Sequence, residues 1–513
     1  MKILKNLLIG LLTLIIITTI IIWVLTKAIQ PELIKNYVSS QLSALTHQNS
    51  KVEGDISWHL FPLPGLKITK IQIGTENSPA NYSLTLDSLR FNLKITPLLR
   101  GKLVFNEINV DGFKININPD APSIAMKIQD IIHSNDAKTN IAEQFAIERF
   151  LLSNGKIVIN QNQKKITLSN LQVGAEQFNL NKALFPIQFK TDLSIITANE
   201  KLLKTHINFK GSTSISAELF NNPLIALQNT SIEGQLFLQN LKFKQLKINT
   251  ISAQIKTRPG LLSLNPLALK LYNGESVGDL KYEFVTTKLI VNQTATNLDS
   301  STLIYDLLNK NLLKGTMDFS IHAQANLQTT NWQENTTGKG SLTIKEGVIE
   351  AINLNKIIDD VSSKINLMIA DKKVSVDGLL QLAQLNNPEF FKGITNFKLL
   401  TLQYRLQNAQ LESHSLVLQT DRLQLQGDGR VDLKNQGLSG QLIAKIILTD
   451  SNLAKIQQLL GGGFPFLLKG TLTEPLVLPD LQKINPLLTN NWLADTLAKP
   501  VEKIKETLQT IFQ

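Results

Sequence analysis

From Val52 onward the apolar and polar residues alternate with a period of two, and this limits most of the chain to strands buried on one face only. In SLTLDSLRFNLKI the apolar positions are Leu84 and Leu86, then Leu89, Phe91, Leu93 and Ile95. Parity slips by one at Asp87-Ser88. Such a slip turns a strand's apolar set onto the wrong face unless a bulge or tight turn absorbs the extra residue. In GKLVFNEINVDGFKININ the series is Leu103 and Phe105, then Ile108 and Val110, then Phe113, Ile115 and Ile117. It slips at Asn106-Glu107 and again at Asp111-Gly112, and the second slip is a hairpin signal. Asn154-Gly155 and Asn273-Gly274 are turn signals of the same kind. Leu402, Tyr404 and Leu406 alternate with Gln403, Arg405 and Gln407. Leu416/Leu418, Leu423/Leu425 and Val431/Leu433 follow, with Gly427-Asp428-Gly429 read as a turn. The expectation is many short strands in a largely antiparallel sheet.

A sheet with one apolar face has to cover it. Few helices are available. Pro31–Thr46 has the helical period, with Leu33, Ile34, Tyr37, Val38, Leu42 and Leu45 on it and Pro31 placed for a helix start. It is expected to lie at the membrane exit or to cap the next domain. Ala121–Asn135, Ser301–Asn311 and Asn353–Asn366 are further candidates, and Pro500–Gln513 carries an apolar stripe of Val501, Ile504, Leu508, Ile511 and Phe512. Facing sheets in a sandwich would close the face. A transmembrane barrel is disfavoured, because six Tyr and four Trp do not supply aromatic girdles. A curved sheet whose face stays partly open for acyl chains satisfies the alternation as well as a sandwich does.

The N-terminus points to a membrane. Leu7 to Thr26 holds twenty residues without a charge, and at 1.5 Å per residue a helix of that length spans about 30 Å, the thickness of a bilayer core. Its apolar side chains are Leu7, Leu8, Ile9, Leu11, Leu12, Leu14, Ile15, Ile16, Ile17, Ile20, Ile21, Ile22, Val24 and Leu25, with Trp23 near the far end, where an indole suits the interface. The run exceeds a signal-peptide core and lacks a small-x-small cleavage site, so it reads as an uncleaved single anchor. Lys2 and Lys5 before it, against Lys27 after it, lean toward a cytoplasmic N-terminus.

Composition narrows function. Hydrophobic residues make up 43% of the 513, enough for substantial burial. The net charge of +11 comes from interspersed residues without aromatic-basic interleaving, so no nucleic-acid partner is expected. There is no cysteine, which excludes disulfides, thiolate metal sites and cysteine nucleophiles. The six histidines never stand three or four apart; no metal site and no cofactor are expected. Gly461-Gly462-Gly463 lacks phosphate-loop spacing and reads as a turn or hinge. Asp359-Asp360 would point apart on a helix. No nucleophile elbow or H-E-x-x-H occurs, and no enzymatic role or catalytic residue is expected.

The anchor, ISWHLFPLPGLKITKIQIG (Ile56 to Gly74) and SLRFNLKITPLLRGKLVFNEINVDG (Ser88 to Gly112) resemble, in order and spacing, the N-terminal part of AsmA-family proteins. GKGSLTIKEGVIEAINLNKII (Gly338 to Ile358), the stretch Phe391 to Leu433 and FPFLLKGTLTEPLVLPD (Phe464 to Asp480) resemble that family's C-terminal region. The resemblance implies a membrane anchor over 1–27, a β-rich region over 28–330, a C-terminal β domain over 331–482 and an amphipathic helical tail over 483–513. It further implies a mainly β fold in which a long, curved, largely antiparallel sheet forms an elongated apolar groove. The implied function is non-enzymatic. A protein held in the bacterial inner membrane, with its bulk in the periplasm, would carry phospholipid toward the outer membrane and support outer-membrane assembly. The partners implied are phospholipid, the inner membrane, and the outer membrane or its assembly machinery. The groove lining is expected from Leu84, Leu86, Leu89, Phe91, Leu93, Ile95, Leu103, Phe105, Ile108 and Val110, and from Leu402, Tyr404, Leu406, Leu416, Leu418, Leu423 and Leu425. The alternative is a chaperone-like assembly factor that offers a sheet edge to outer-membrane protein precursors.

Overall fold

A computed structural model describes the chain between Pro31 and Lys483. The main stretches outside the described residues are 1–30, 75–81, 97–103, 118–145, 217–229, 371–392, 448–453 and 484–513, with some shorter loop positions. The expected anchor, the candidate helices over 121–135 and 500–513, and the side chains of Ile95 and Leu103 therefore lie outside them. Among the described residues no helix is long and apolar enough to cross a membrane. The protein is mainly β, with 23 strands among the described residues, and the alternation is its cause. The chain divides into two compact units, 1–244 with 252–260, and 245–251 with 261–513.

The first unit starts with helix α1 (Pro31–Thr46), followed by β1 (Ser50–Val52), β2 (Ile56–His59), β3 (Gly65–Ile73) and β4 (Tyr82–Leu93). Next come β5 (Phe105–Asp111), β6 (Lys114–Ile117), β7 (Ala146–Gln161), β8 (Lys164–Asn179), β9 (Phe185–Thr197), β10 (Glu200–Thr213) and β11 (Ile232–Phe243). Strands β1 and β2 both pair with β3, and β3 with β4. Helix α1 packs Val38 and Leu42 onto the small core of Val52, Leu66, Ile68, Ile71 and Ile73. It thus caps the domain that follows.

Asp111-Gly112 is not a hairpin. Strands β5 and β6 lie in line, both antiparallel to β4 and both parallel to β7. Gly112, at φ 65°, kinks one long strand instead of reversing it. Asn154-Gly155 likewise falls inside β7, with Asn154 at φ 54° and the β8 register shifting on both sides of Gly155. The strands are accordingly long, sixteen residues each in β7 and β8, and not short as the turn signals suggested. A dipeptide that suits left-handed backbone suits a bulge as well as a hairpin, and neighbouring strands decide between them. The slip at Asn106-Glu107 is also a bulge, between the pairs Asn92/Glu107 and Leu93/Phe105.

Strand β12 (Leu246–Arg258) is shared out between the units. The second unit runs on through β13 (Leu261–Leu271), β14 (Gly274–Glu283), β15 (Lys288–Asp299), helix α2 (Ser300–Leu308), β16 (Leu313–Asn326), β17 (Thr337–Glu350) and helix α3 (Leu354–Ala370). It ends with β18 (Ile394–Gln407), β19 (Gln410–Gln419), β20 (Leu423–Asp432), β21 (Leu438–Ile446), β22 (Phe464–Gly470) and β23 (Pro475–Pro479). From β13 to β23 every strand pairs antiparallel with the next. Asn273-Gly274 closes a true hairpin, with φ of 45° and 63° at Tyr272 and Asn273. Gly427-Asp428-Gly429 does not turn: it is the middle of β20, paired on both sides. A side chain at Gly427 would overlap the Gln441 carbonyl, so the glycine serves close approach of two strands.

Both inner helices are fixed by caps. Asp299 accepts from Ser301 N–H at 3.0 Å at the start of α2, and Asn309, at φ 55°, ends it. Asn353 Oδ1 accepts from Lys356 N–H at 3.0 Å at the start of α3. The fully buried Thr395 of β18 accepts from Leu354 N–H at 2.9 Å and donates to the Ile352 carbonyl at 2.6 Å. That pins α3 over the sheet, where Leu354, Ile357 and Ile358 enter the core of the unit.

A candidate lipid-binding face

In the first unit, strand register lines the apolar residues into rows. One row runs Leu66, Phe91, Ile108, Phe150, Ala175, Ile187 and then the glycine pair Gly211/Gly234. The next runs Ile68, Leu89, Val110, Leu152, Val173, Phe189, Phe209 and Leu236. Aromatic rings join neighbouring strands along them: Phe91 and Phe105 at 5.8 Å, Phe178 and Phe185 at 5.2 Å, Phe189 and Phe209 at 5.6 Å. Beyond the kinks further rows continue, such as Leu84, Ile115, Ile157, Leu168 and Leu193. Each kink restores the parity that the sequence breaks, so the apolar residues on both sides of it share one face.

The kinks are the polar centres of this unit. Asp111 Oδ1 accepts from Ser153 Oγ at 2.6 Å and Asn154 Nδ2 at 2.7 Å, and these bonds hold its carboxyl below the usual range. Asp192 accepts from His206 Nδ1 at 2.7 Å and from Asn170 Nδ2 at 2.6 Å, with the same consequence. Register shifts flank both groups, and Asn170 has φ 54°. The buried hydroxyls of Thr191 and Thr205 donate to the carbonyls of Ser169 and Gln239, at 3.0 and 3.1 Å, where the ladder is interrupted.

The second unit repeats the design with a graded cover. Its innermost row, Leu298, Met317, Ile344, Leu400, Leu418, Leu425, Ala444 and Phe464, belongs to the core packed with α3. Two residues along the strands, or three across the β15 register shift, lies the row Ala295, Phe319, Leu342 and Leu402. Farther still the face continues as Leu280, Val291, Ala323, Gly338, Leu406, Leu411, Val431 and Leu438, all half-buried. Asp318 serves here as Asp111 does in the first unit. It accepts from Asn297 N–H at 2.9 Å and Lys345 Nζ at 3.0 Å at a register shift, and its carboxyl too is lowered.

Aromatic rings lie over glycines at several of these crossings: Phe113 over Gly155, Phe209 over Gly211 and Gly234, Tyr404 over Gly340, Phe397 over Gly347. The ring covers backbone that the glycine leaves bare. Tyr404 spans the gap to β16 and donates to the Ser320 carbonyl at 2.8 Å.

The sequence-predicted lining residues fall into three places. Leu84, Leu86, Leu89 and Phe91 pack beside the α1 core, while Leu93, Phe105, Ile108 and Val110 are half-buried on the apolar rows. Leu402, Tyr404, Leu406 and Leu416 are half-buried on the open part of the second unit. Leu418, Leu423 and Leu425 are core residues of the α3 cluster. The middle of the chain adds lining residues that the sequence reading does not name: Phe150, Leu152, Val173, Phe189, Phe209 and Leu236 share the rows, and the alternation Phe150/Leu152 beside Asn154-Gly155 is the signal for them. The residues weighed for chemistry are dispersed. Asp359 pairs with Arg422 and Asp360 with Lys364, each at 2.7 Å, and Gly461–Gly463 precedes β22 as a turn. Among the described residues no three acidic or histidine side chains converge as a metal cage.

No curated protein and no solved structure matches the chain. The family model for the AsmA family matches residues 1–236 and 227–408. With most of its length under that model, the chain belongs to the AsmA family.

Proposed function

We propose that this protein is a non-enzymatic carrier of phospholipid in the bacterial envelope, its acyl-chain path being the half-buried apolar rows of the sheet. Residues 7–26 would anchor it in the inner membrane with the N-terminus cytoplasmic and the bulk periplasmic, and the cargo would move toward the outer membrane and its assembly. One observation carries the reading. The same apolar face is buried under α3 at Ile344 and Leu418 but only half-buried at Leu406, Leu411 and Val431, where no described helix packs. Extended apolar surface of this kind marks a binding surface, and a row of Leu, Val and Phe offers an acyl chain dispersion contacts without hydrogen-bonding demands.

The chaperone alternative needs a free strand edge, and the edges argue for the lipid reading. Ser43 and Ser39 on α1 accept the outward N–H groups of Ser50 and Val52 at 2.9 and 3.0 Å. Strand β23 begins and ends with proline, which blunts strand addition. The test is photo-crosslinking in cells, with benzoylphenylalanine replacing Leu152, Leu406 or, on the polar side, Gln172. Phospholipid adducts at Leu152 and Leu406 but not at Gln172 are expected. Adducts to outer-membrane protein precursors at the apolar positions, without lipid, would transfer the case to the chaperone.

A further inference from the structure

A cavity of about 760 Å³ crosses strands β14 to β19 of the second unit, and its charged and hydroxyl side chains come from the face opposite the apolar rows. Small-molecule sites run from about 300 to 1,000 Å³. Register fixes what it presents. Asn292, His322, Lys339, Arg405 and Glu412 stand abreast on five consecutive strands. Lys339 and Arg405 are direct cross-strand partners, an arrangement that like charges disfavour. Among the described residues neither has an acidic partner, because Glu412, the nearest carboxylate in the row, is held by Arg430 at 2.7 Å. At the other end Asp279 takes both its bonds from Asn292 Nδ2, at 3.0 Å. That fixes the amide so that its Oδ1 accepts from His322 Nδ1. The adjoining row is rich in hydroxyls: Thr294, Ser320, Ser341 and Ser415.

Two unneutralised cations side by side, a wall of hydroxyls and a cavity of ligand size are the components of an oxyanion site. We propose that this cavity binds a phosphoester, with Lys339 and Arg405 as its charge partners and Ser320, Ser341 and Ser415 in its lining. Its charge partners lie on the opposite face from the acyl-chain rows, so the proposal does not depend on those rows. A soluble phosphoester and the headgroup of an anionic lipid share the chemistry.

The test is calorimetric titration of the full chain in an uncharged detergent at low ionic strength. The probes are inorganic phosphate, glycerol 3-phosphate and dihexanoylphosphatidylglycerol. Saturable binding of at least one probe is expected, weakened about tenfold or more in the Lys339→Gln, Arg405→Gln double variant, as loss of charge-assisted bonds implies. Lys398→Gln is the control for loss of a paired surface cation, since Lys398, on the same strand as Arg405, is paired with Asp421 at 2.7 Å; it should leave affinity within about twofold. Glycerol 3-phosphate binding as tightly as the lipid identifies a soluble phosphoester; binding of the lipid alone identifies a headgroup. Binding that the double variant leaves unchanged, with its melting curve intact, would overturn the proposal, as would absence of saturation by all three probes at millimolar concentration.

Discussion

Single residues in this protein act mainly by letting strands come close or by taking up an extra residue. Gly340 shows the first role: a Cβ there would overlap the Ser320 carbonyl and press on the Tyr404 ring. Gly340→Ala should therefore cost about 1–3 kcal/mol in urea unfolding. Gly429→Ala is the contrast, because its Cβ would meet nothing nearer than Leu416 Cδ1 at 3.9 Å; it should be neutral or stabilise by up to about 1 kcal/mol. The kink carboxylates make a second prediction, in pH. Asp111, Asp192 and Asp318 are all lowered in the folded state, by hydrogen bonds to the charged form. Their contribution is complete above the ordinary carboxylate value of 3.8 and is lost as pH falls through their lower folded values. Melting temperature should drop over that acid range, and less steeply in Asp111→Asn, which keeps the size but not the charge. Tyr272 gives the alkaline counterpart. Burial pushes its hydroxyl up to about 12 from 10, with its bond to Asp306 adding to the effect, so its contribution is lost as pH rises through that interval.

At the scale of the element, the question is which part of an apolar strand face is core and which is open. Strand β17 contains both, Ile344 fully buried with α3 and Leu342 half-buried two residues away. Truncating Ile344→Ala should cost about 2–5 kcal/mol, the range for emptying a closed core. Leu402→Ala, across from Leu342, should cost clearly less, and Leu402→Asp should leave a folded protein while interrupting lipid passage. Leu402→Asp that unfolds like Ile344→Asp would indicate a closed interior at that position. Much of this was legible beforehand. Period-two alternation located the strands of both units, Pro31 and its apolar stripe located α1, and the parity slip at Asn106-Glu107 located a bulge. The turn signals were harder to read. Asp111-Gly112 and Gly427-Asp428-Gly429 have the backbone freedom for a reversal, yet paired neighbours on both sides keep the strand going straight through. Whether Leu418 is core or lining depends on where α3 lies, and that is set by Thr395 and Ile352, which no local pattern marks.

Across the whole molecule, the described residues of both units follow one scheme. Apolar side chains align in register from strand to strand, bulges keep them on one face, and helices cover that face only at α1, α2 and α3. The polar face is not legible in the sequence, because Lys339 and Arg405 are far apart in the chain and only register brings them together. Under the proposed carrier role, cargo would supply the cover that the half-buried rows lack among the described residues. The most direct test is native mass spectrometry of the full chain released from membranes in a mild detergent, counting phospholipids per protein. The account predicts several phospholipids per chain, reduced in Leu152→Asp and Leu402→Asp variants that remain folded. A stable protein carrying no lipid, or one whose lipid count those variants leave unchanged, would contradict it.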